Sequence, residues 1–447
     1  MVWDSGKFGC ATMAKRQGSK SLNQNLKTPF LGEPSLLRQL RPPDINMSRS
    51  ILKDSDLEIS TLGSPKVRRA PRRTRRVEVT PLGECSEAHL IQQGENMKLS
   101  MMLNYAGGFH AAVDKVVEYE KAGLDAVWIA EAYSADAISQ VGYLAAKTNT
   151  VEIGTGILNV FSRTPALMAM TAAGCDYVSN GRFILGLGAS GPQVVEGFHG
   201  MPYEKPMLRI KEYIQACRHI WAREEPFHIE GQTVQAPLPA GLGTGLGKAL
   251  KIIKPGAEIR KDIPIWWASL MGLSVTATAE VADGWMPIFF DPDKYQNVWG
   301  DDLKKGIAKR DPSLGQLQIT AGGMLAIDES LTGEAQSKIL DFSRPNAALY
   351  IGGMGARDKN FYNTICKKYG YEKEAIEIQD LYLSGKKEEA AAAVPGEMLS
   401  NSNLVGPKSF IKERIASFKE AGVTMLSINP VGPNAIQNIE TLKEMIS

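Results

Sequence analysis

The sequence predicts an α/β protein in which residues 97–447 form a (β/α)8 TIM barrel with insertions. Three observations lead there. After Met97, short apolar strands alternate strictly with amphipathic helices. That order demands a parallel sheet with its helices outside. There are eight such units, the number that closes a barrel. The chain of 447 residues is also long enough for one large barrel carrying extra segments. An open doubly wound sheet alternates in the same way and is the competing arrangement.

The elements follow in order. Lys98–Leu103 is a strand leading to a helix at 111–122, stopped by Gly123. A strand at 125–130 leads to a helix near 138–147. The third strand, 151–158, leads to 165–178, where Pro165 suits the first helical turn because its ring presets φ. The fourth strand, 183–187, leads to a helix at 205–222. A glycine-rich excursion at about 231–262 precedes the fifth strand (264–268) with its helix at 273–282, and the sixth (285–289) with helix 293–309. The seventh, 317–327, is followed by a mostly helical insertion at about 330–400. Helix 407–421, strand 424–429 and helix 434–446 end the sequence.

Residues 1–96 are different in kind. They hold 16 Lys/Arg against 10 Asp/Glu, with Arg68, Arg69, Arg72, Arg73, Arg75 and Arg76 in one run. Such an Arg/Ser/Pro-rich segment buries too little apolar surface to offset its ordering entropy, so a disordered basic extension is expected. Arginine runs also grip phosphates, and Arg/Ser-rich leaders resemble targeting peptides. Residues 97–447 carry a net −4, however, which argues against a nucleic-acid-binding body. Five scattered cysteines without a C-x-x-C pair suit a reducing cytoplasm and neither a disulfide scaffold nor a zinc site. No stretch reads as a bilayer helix of about 20 apolar residues. A cytoplasmic protein without nucleic-acid or membrane partners is expected.

Chemistry in such a barrel belongs at the carboxyl ends of the strands. These exits hold Asn104 and Tyr105; Glu131, Ala132, Tyr133 and Asp136; Asn159; Gly188, Ala189, Ser190 and Gly191; and Ser269 and Gly272. They contain amides, aromatics and glycines but no histidine pair, carboxylate cluster with metal spacing or Gly-x-Ser-x-Gly elbow. A protein without its own strong acid, base or metal borrows reactivity from an organic cofactor or only binds. Gly186, Gly188 and Gly191 form a G-x-G-x-x-G, but on the fourth strand and without the acid on a following strand that dinucleotide binding requires. What remains is a strand exit presenting bare backbone N–H groups to an anion or a ring edge. Gly154 and Gly156 on the third strand permit close helix packing or a bulge beneath a flat ring. His110 and His199 follow strand exits, a position more typical of surface histidines.

These stretches resemble the luciferase-like monooxygenase superfamily over essentially all of 97–447, and within it the oxidoreductases that use coenzyme F420. The segments that carry the likeness are 123–131, 163–165, 179–188, 190–197 and 282–285. The resemblance implies a non-prolyl cis peptide at Gly156–Ile157, lying against the cofactor ring. It places Glu131 and Asn159 at the ring edge, the loop of Gly188, Ala189, Ser190 and Gly191 near ring and tail, and Ser269 and Gly272 near the phosphate-bearing side chain. Many deazaflavin members have a histidine where this chain has Ala132, so the proton donor is sought among Glu131, Tyr133, Asp136 and a bound water. The usual Gly-Pro exit of the fifth strand is replaced by Leu270, Met271 and Gly272. The expected activity is hydride transfer between coenzyme F420 and a small organic substrate. A reduced-FMN monooxygenase and a non-catalytic deazaflavin binder are the alternatives, and by analogy a homo-oligomer is expected.

Overall fold

Strand β1 (Lys98–Leu103) lies between β2 (Ala126–Ile129) and β8 (Met425–Pro430), so the first and last strands of the fold meet. Between them run β3 (Glu152–Thr155), β4 (Phe183–Gly188), β5 (Ile265–Trp267), β6 (Gly284–Trp285) and β7 (Gln318–Ile327). Each is parallel to its neighbours, and the pairings of β7 with β6 and β8 complete the ring. The sheet is therefore a closed eight-stranded barrel, which excludes the open arrangement. This computed structural model describes residues 97–103, 108–254 and 259–447. The expected disordered extension at 1–96 and the exit residues 104–107 lie outside them.

The outward side chains of the strands, among them Leu99, Val127, Ile129, Ile153 and Leu185, pack under the helical layer. Its members are α1 (Phe109–Lys121), α2 (Ala137–Lys147), α3 (Pro165–Val178), α4 (Pro206–Ala222), α5 (Leu273–Val281), α6 (Asp301–Ile307), α7 (Lys408–Glu420) and α8 (Ala435–Ile446). Helix α3 starts where its sequence requires. Pro165 occupies the first turn, and the Thr164 side chain caps the helix by accepting from the Leu167 N–H at 3.2 Å.

The barrel interior is filled by two indoles. Trp128 and Trp266 pack with ring centroids 5.0 Å apart, and Ala126, Ile184, Met286 and Met425 complete the cluster. Glycines opposite make this possible. A Cβ on Gly154 would lie 2.3 Å from the Trp128 ring, and one on Gly284 2.1 Å from that of Trp266. Large and small residues thus interdigitate across the cylinder.

Two strands depart most from expectation. The third is interrupted after Thr155 and resumes at Leu158–Asn159. The sixth pairs only at Gly284–Trp285, because Pro287 lacks an N–H to donate and Phe289 adopts φ 53°, outside the strand region. The expected helix at 293–309 is a π turn, Gln296–Gly300, running into α6. The excursion after α4 carries an antiparallel hairpin, Ile229–Glu230 with Gln235–Ala236.

After β7 the chain builds several short helices before α7. Two residues of this insertion hold the exit of β6. The Tyr369 hydroxyl donates to the Phe289 carbonyl (2.8 Å) and accepts from the Asp291 N–H (3.1 Å). Asn401 donates to the Asp291 carboxylate at 3.1 Å, and burial pushes that carboxyl upward from its ordinary range. At the seam, Lys443 of α8 reaches both Asp125 oxygens (2.8 and 2.6 Å), and Asp125 also accepts from the Leu99 N–H at 2.7 Å. Gly123 turns beside this contact with φ +102°, a conformation that favours glycine.

Gly284→Ala drives a methyl group into the Trp266 ring. It is expected to lower stability by about 1–3 kcal/mol. A fall in the urea midpoint at constant slope checks this, and an unchanged midpoint refutes it.

Candidate active site

The mouth of the barrel takes its shape from one extra residue. Gly154 is opposite Ile184 and Leu158 is opposite Leu187, so four steps along β3 match three along β4. This is a β-bulge, which leaves backbone groups of β4 without ladder partners. The Thr155 hydroxyl supplies them, accepting from the Gly186 N–H (2.9 Å) and donating to the Gly186 carbonyl (3.0 Å). The approach requires glycine, because a Cβ on Gly186 would lie 1.7 Å from the Thr155 carbonyl oxygen.

Within the bulge the Gly156–Ile157 peptide is cis, and the Gly156 N–H donates to the Ile129 carbonyl at 2.8 Å. A Cβ on Gly156 would meet Met102 Cε at 2.7 Å and Met286 Cε at 3.4 Å, and one on Gly188 would meet Ile157 Cδ1 at 2.8 Å. Met102 points inward from β1 yet is 40% exposed, so the barrel is open here. Gly156, Ile157 and Gly188 thus border a recess whose base is the two methionines, above the indoles.

Asn159, the register partner of Gly188, is only 4% exposed. Its Oδ1 accepts from the Phe161 N–H at 2.9 Å, while its Nδ2 is buried without a partner among the described residues. Buried amide donors are nearly always satisfied, so a free one at a barrel mouth suits a ligand acceptor. This orphaned donor and the glycine-bordered recess fit a flat heterocycle with polar edges.

Glu131 leaves β2 and is gripped by Arg163 at the exit of β3. Arg163 Nη1 lies 2.6 Å from Oε1 and Nη2 2.8 Å from Oε2, and the Ala137 N–H donates to Oε2 at 3.0 Å. The Glu131 carboxylate raises the Arg163 guanidinium above its ordinary range. This two-bond fork fixes two strand exits relative to each other. Arg163 was legible only as part of a family-like stretch, since nothing local identifies its partner 32 residues away.

The remaining expected residues are more dispersed. Tyr133 is 56% exposed, with its ring 6.2 Å from that of Phe198. Asp136 caps α2, accepting from the Ser139 N–H and hydroxyl, both at 2.9 Å; these bonds hold its carboxyl below the usual range. Among the described residues neither side chain hydrogen-bonds to Glu131, Asn159 or the glycines. Past Gly188, Ala189 is half-buried, Ser190 is exposed in a left-handed conformation (φ 57°), and Gly191 opens the short helix Pro192–Gly197. The Ser269 hydroxyl accepts from Thr278 at 2.8 Å and its carbonyl accepts from the Trp285 indole at 3.0 Å. Gly272 starts α5 at φ 57°. No group of three or more His, Cys, Asp or Glu among the described residues could hold a metal, and no described helix is long and apolar enough to cross a membrane.

Asp136→Ala removes a helix cap and is expected to cost about 1 kcal/mol near neutral pH. The folded carboxyl titrates below its unfolded value of 3.8, so its contribution is present above that value. It is lost as pH falls through the lower folded value. Urea midpoints of both proteins should converge on acidification; a gap that persists at the lowest pH refutes the assignment.

Comparison with known proteins supplies the lineage. The family model for luciferase-like monooxygenases matches residues 96–425. A Mycobacterium tuberculosis protein, provisionally named a coenzyme F420-dependent oxidoreductase, is 36% identical over 352 residues, covering 77% of this chain and 99% of the relative. The coenzyme F420-dependent tetrahydromethanopterin reductase of Methanopyrus kandleri superposes with a TM-score of 0.62 at 19% identity, over 78% of this chain and 98% of its own. The FMN-bound oxygenating constituent of 3,6-diketocamphane monooxygenase from Pseudomonas putida gives 0.51 at 18% identity, over 79% and 98%. The extent of the family match and the identity to the mycobacterial relative lead to one conclusion: this chain belongs to the luciferase-like monooxygenase family.

Proposed function

We propose that this chain is an oxidoreductase that holds the deazaflavin coenzyme F420 in its barrel mouth and exchanges a hydride with a small organic substrate. The observation that carries the reading is the buried, unpartnered Asn159 amide beside the recess of Gly156, Ile157 and Gly188. The name of the mycobacterial relative favours this cofactor over FMN. When bound, coenzyme F420 supplies a two-electron hydride at a ring carbon, whereas FMN offers a nitrogen there and reacts readily with oxygen.

The chain's own residues orient and enclose. Asn159 Nδ2 donates to the polar ring edge. The backbone of Gly188, Ala189, Ser190 and Gly191 would lie along ring and tail, and the backbone at Gly272 would hold the phosphate-bearing side chain, with Ser269, buried and bonded to Thr278 and Trp285, supporting that loop from within. Met102 and Met286 form a dry base, which strengthens every polar contact above it. Glu131 acts on geometry: Arg163 and the Ala137 N–H engage both its oxygens, so it steadies the exits of β2 and β3 at the ring edge. Asp136 is a charged cap. Proton transfer therefore falls to the exposed Tyr133 hydroxyl or a water beside it. We also assign a homodimer, because α3 turns Leu167, Met170, Tyr177 and Val178 to solvent at helical spacing.

An anaerobic titration with each cofactor tests the reading. Coenzyme F420 is expected to bind in the micromolar range, and Asn159→Ala to weaken it about tenfold through loss of one buried hydrogen bond. Binding of FMN alone would identify a flavin monooxygenase instead. Tight deazaflavin binding without oxidation across a panel of acceptors would identify a binder without turnover. Met170→Lys is expected to yield monomers by light scattering, and an unchanged mass would place the contact elsewhere.

A further inference from the structure

Behind the β3 exit lies a second cleft, of about 410 Å3, bounded by the start of α3, the first half of α4 and the hairpin strand Gln235–Ala236. Its walls include Phe161, Met201, Tyr213 and Phe227. Two guanidinium groups line it, and their circumstances differ. Arg163 is neutralised by Glu131. Arg209 pairs with no carboxylate among the described residues. Its face lies over the rings of Phe161 (4.8 Å) and Tyr213 (5.6 Å), and its Nε donates to the Val160 carbonyl at 3.3 Å. Stacking of this kind fixes the plane of the group; its edge is partly taken by the Val160 carbonyl and the Tyr213 hydroxyl, which leaves its remaining N–H groups for a planar acceptor.

The surroundings are built as well. Phe161 is stacked on Tyr203 with centroids 5.4 Å apart. Glu212, one turn along from Arg209, is committed to the hairpin. It accepts from the Gln232 N–H (2.7 Å), the Thr233 N–H (2.9 Å) and the Thr233 hydroxyl (2.5 Å). A Cβ on Gly231 would lie 2.6 Å from that carboxyl, so the hairpin fits only as it stands. Glu212 therefore holds the far wall in place. One positive charge on a preset plane, among apolar rings, is left without a counter-ion among the described residues.

We propose that this cleft is a second ligand site that takes a small organic carboxylate with a flat apolar body. The carboxylate meets the edge of Arg209 in a two-bond fork, and the body lies against Phe227 and Met201. A monoanion matches the single uncompensated charge, whereas a phosphate dianion would remain half neutralised. The cleft shares Phe161 and Arg163 with the β3 exit but faces α4 and the hairpin, and the proposal does not depend on which cofactor the mouth holds.

Calorimetric titration of the intact protein with benzoate tests the assignment, with benzamide as the uncharged isostere. Benzoate is expected to bind and benzamide not to. Arg209→Gln should weaken benzoate at least about tenfold, the loss of one charge-assisted pair. Met201→Glu, at the exposed rim, places a carboxylate within the cleft and should abolish binding in the same way. An unchanged thermal midpoint in both variants shows that the fold is intact, whether or not coenzyme F420 binds. The proposal is overturned by equal benzoate affinity in wild type and variants, by competition between benzoate and the mouth cofactor, by a preference for inorganic phosphate, or by no binding up to roughly 10 mM.

Discussion

A closed barrel must fill its own interior, and here two tryptophans do so against two glycines. Trp128 over Gly154 and Trp266 over Gly284 make a solid plug, and everything functional begins above it. The plug sets the depth of the mouth at Met102 and Met286. It also gives the bulge of β3 a rigid base, so the extra residue displaces chain toward the opening and not into the core. Without that filling, the recess beside Asn159 would continue into the barrel as a channel.

Above the plug, the site is held by contacts that cross between strand exits. Thr155 replaces the ladder bonds that the bulge removes, and the Glu131–Arg163 fork joins the exits of β2 and β3. Tyr369 and Asn401 do the same for β6 from the insertion. Two buried donors in and under the mouth escape this pairing among the described residues, the Trp128 indole N–H within the plug and Asn159 Nδ2 at the β3 exit, and of the two only Asn159 lies beside the glycine-bordered opening.

Much of the fold was legible because its signals are local. Thr164 with Pro165 marks the start of α3, and the alternation of apolar strand with amphipathic helix needs only neighbouring residues. Gly154 and Gly156 allowed either close packing or a bulge, and the structure uses them differently: Gly154 makes room for Trp128, and Gly156 lies in the bulge. The early end of β6 was harder to see, since Trp285 and Phe289 read as continuous core while Pro287 broke the ladder between them. Roles fixed by distant partners were hidden. Asp136 looks like a candidate acid until Ser139 is seen to occupy it. Arg163 looks like a surface residue until Glu131 is placed beside it, and Tyr369 is one tyrosine among many until it meets the backbone of Phe289.

The joint of Lys443 with Asp125 and the Leu99 amide bears on how such a molecule is made. Translation delivers β1 more than three hundred residues before α8. The nascent polypeptide must therefore keep one unpaired strand edge through nearly the whole period of its synthesis, the circumstance in which intermolecular association competes best with closure. Ring completion must wait for β8 and α8, and the yield of native protein in a cell depends on how well that waiting edge is shielded until both have emerged from the ribosome.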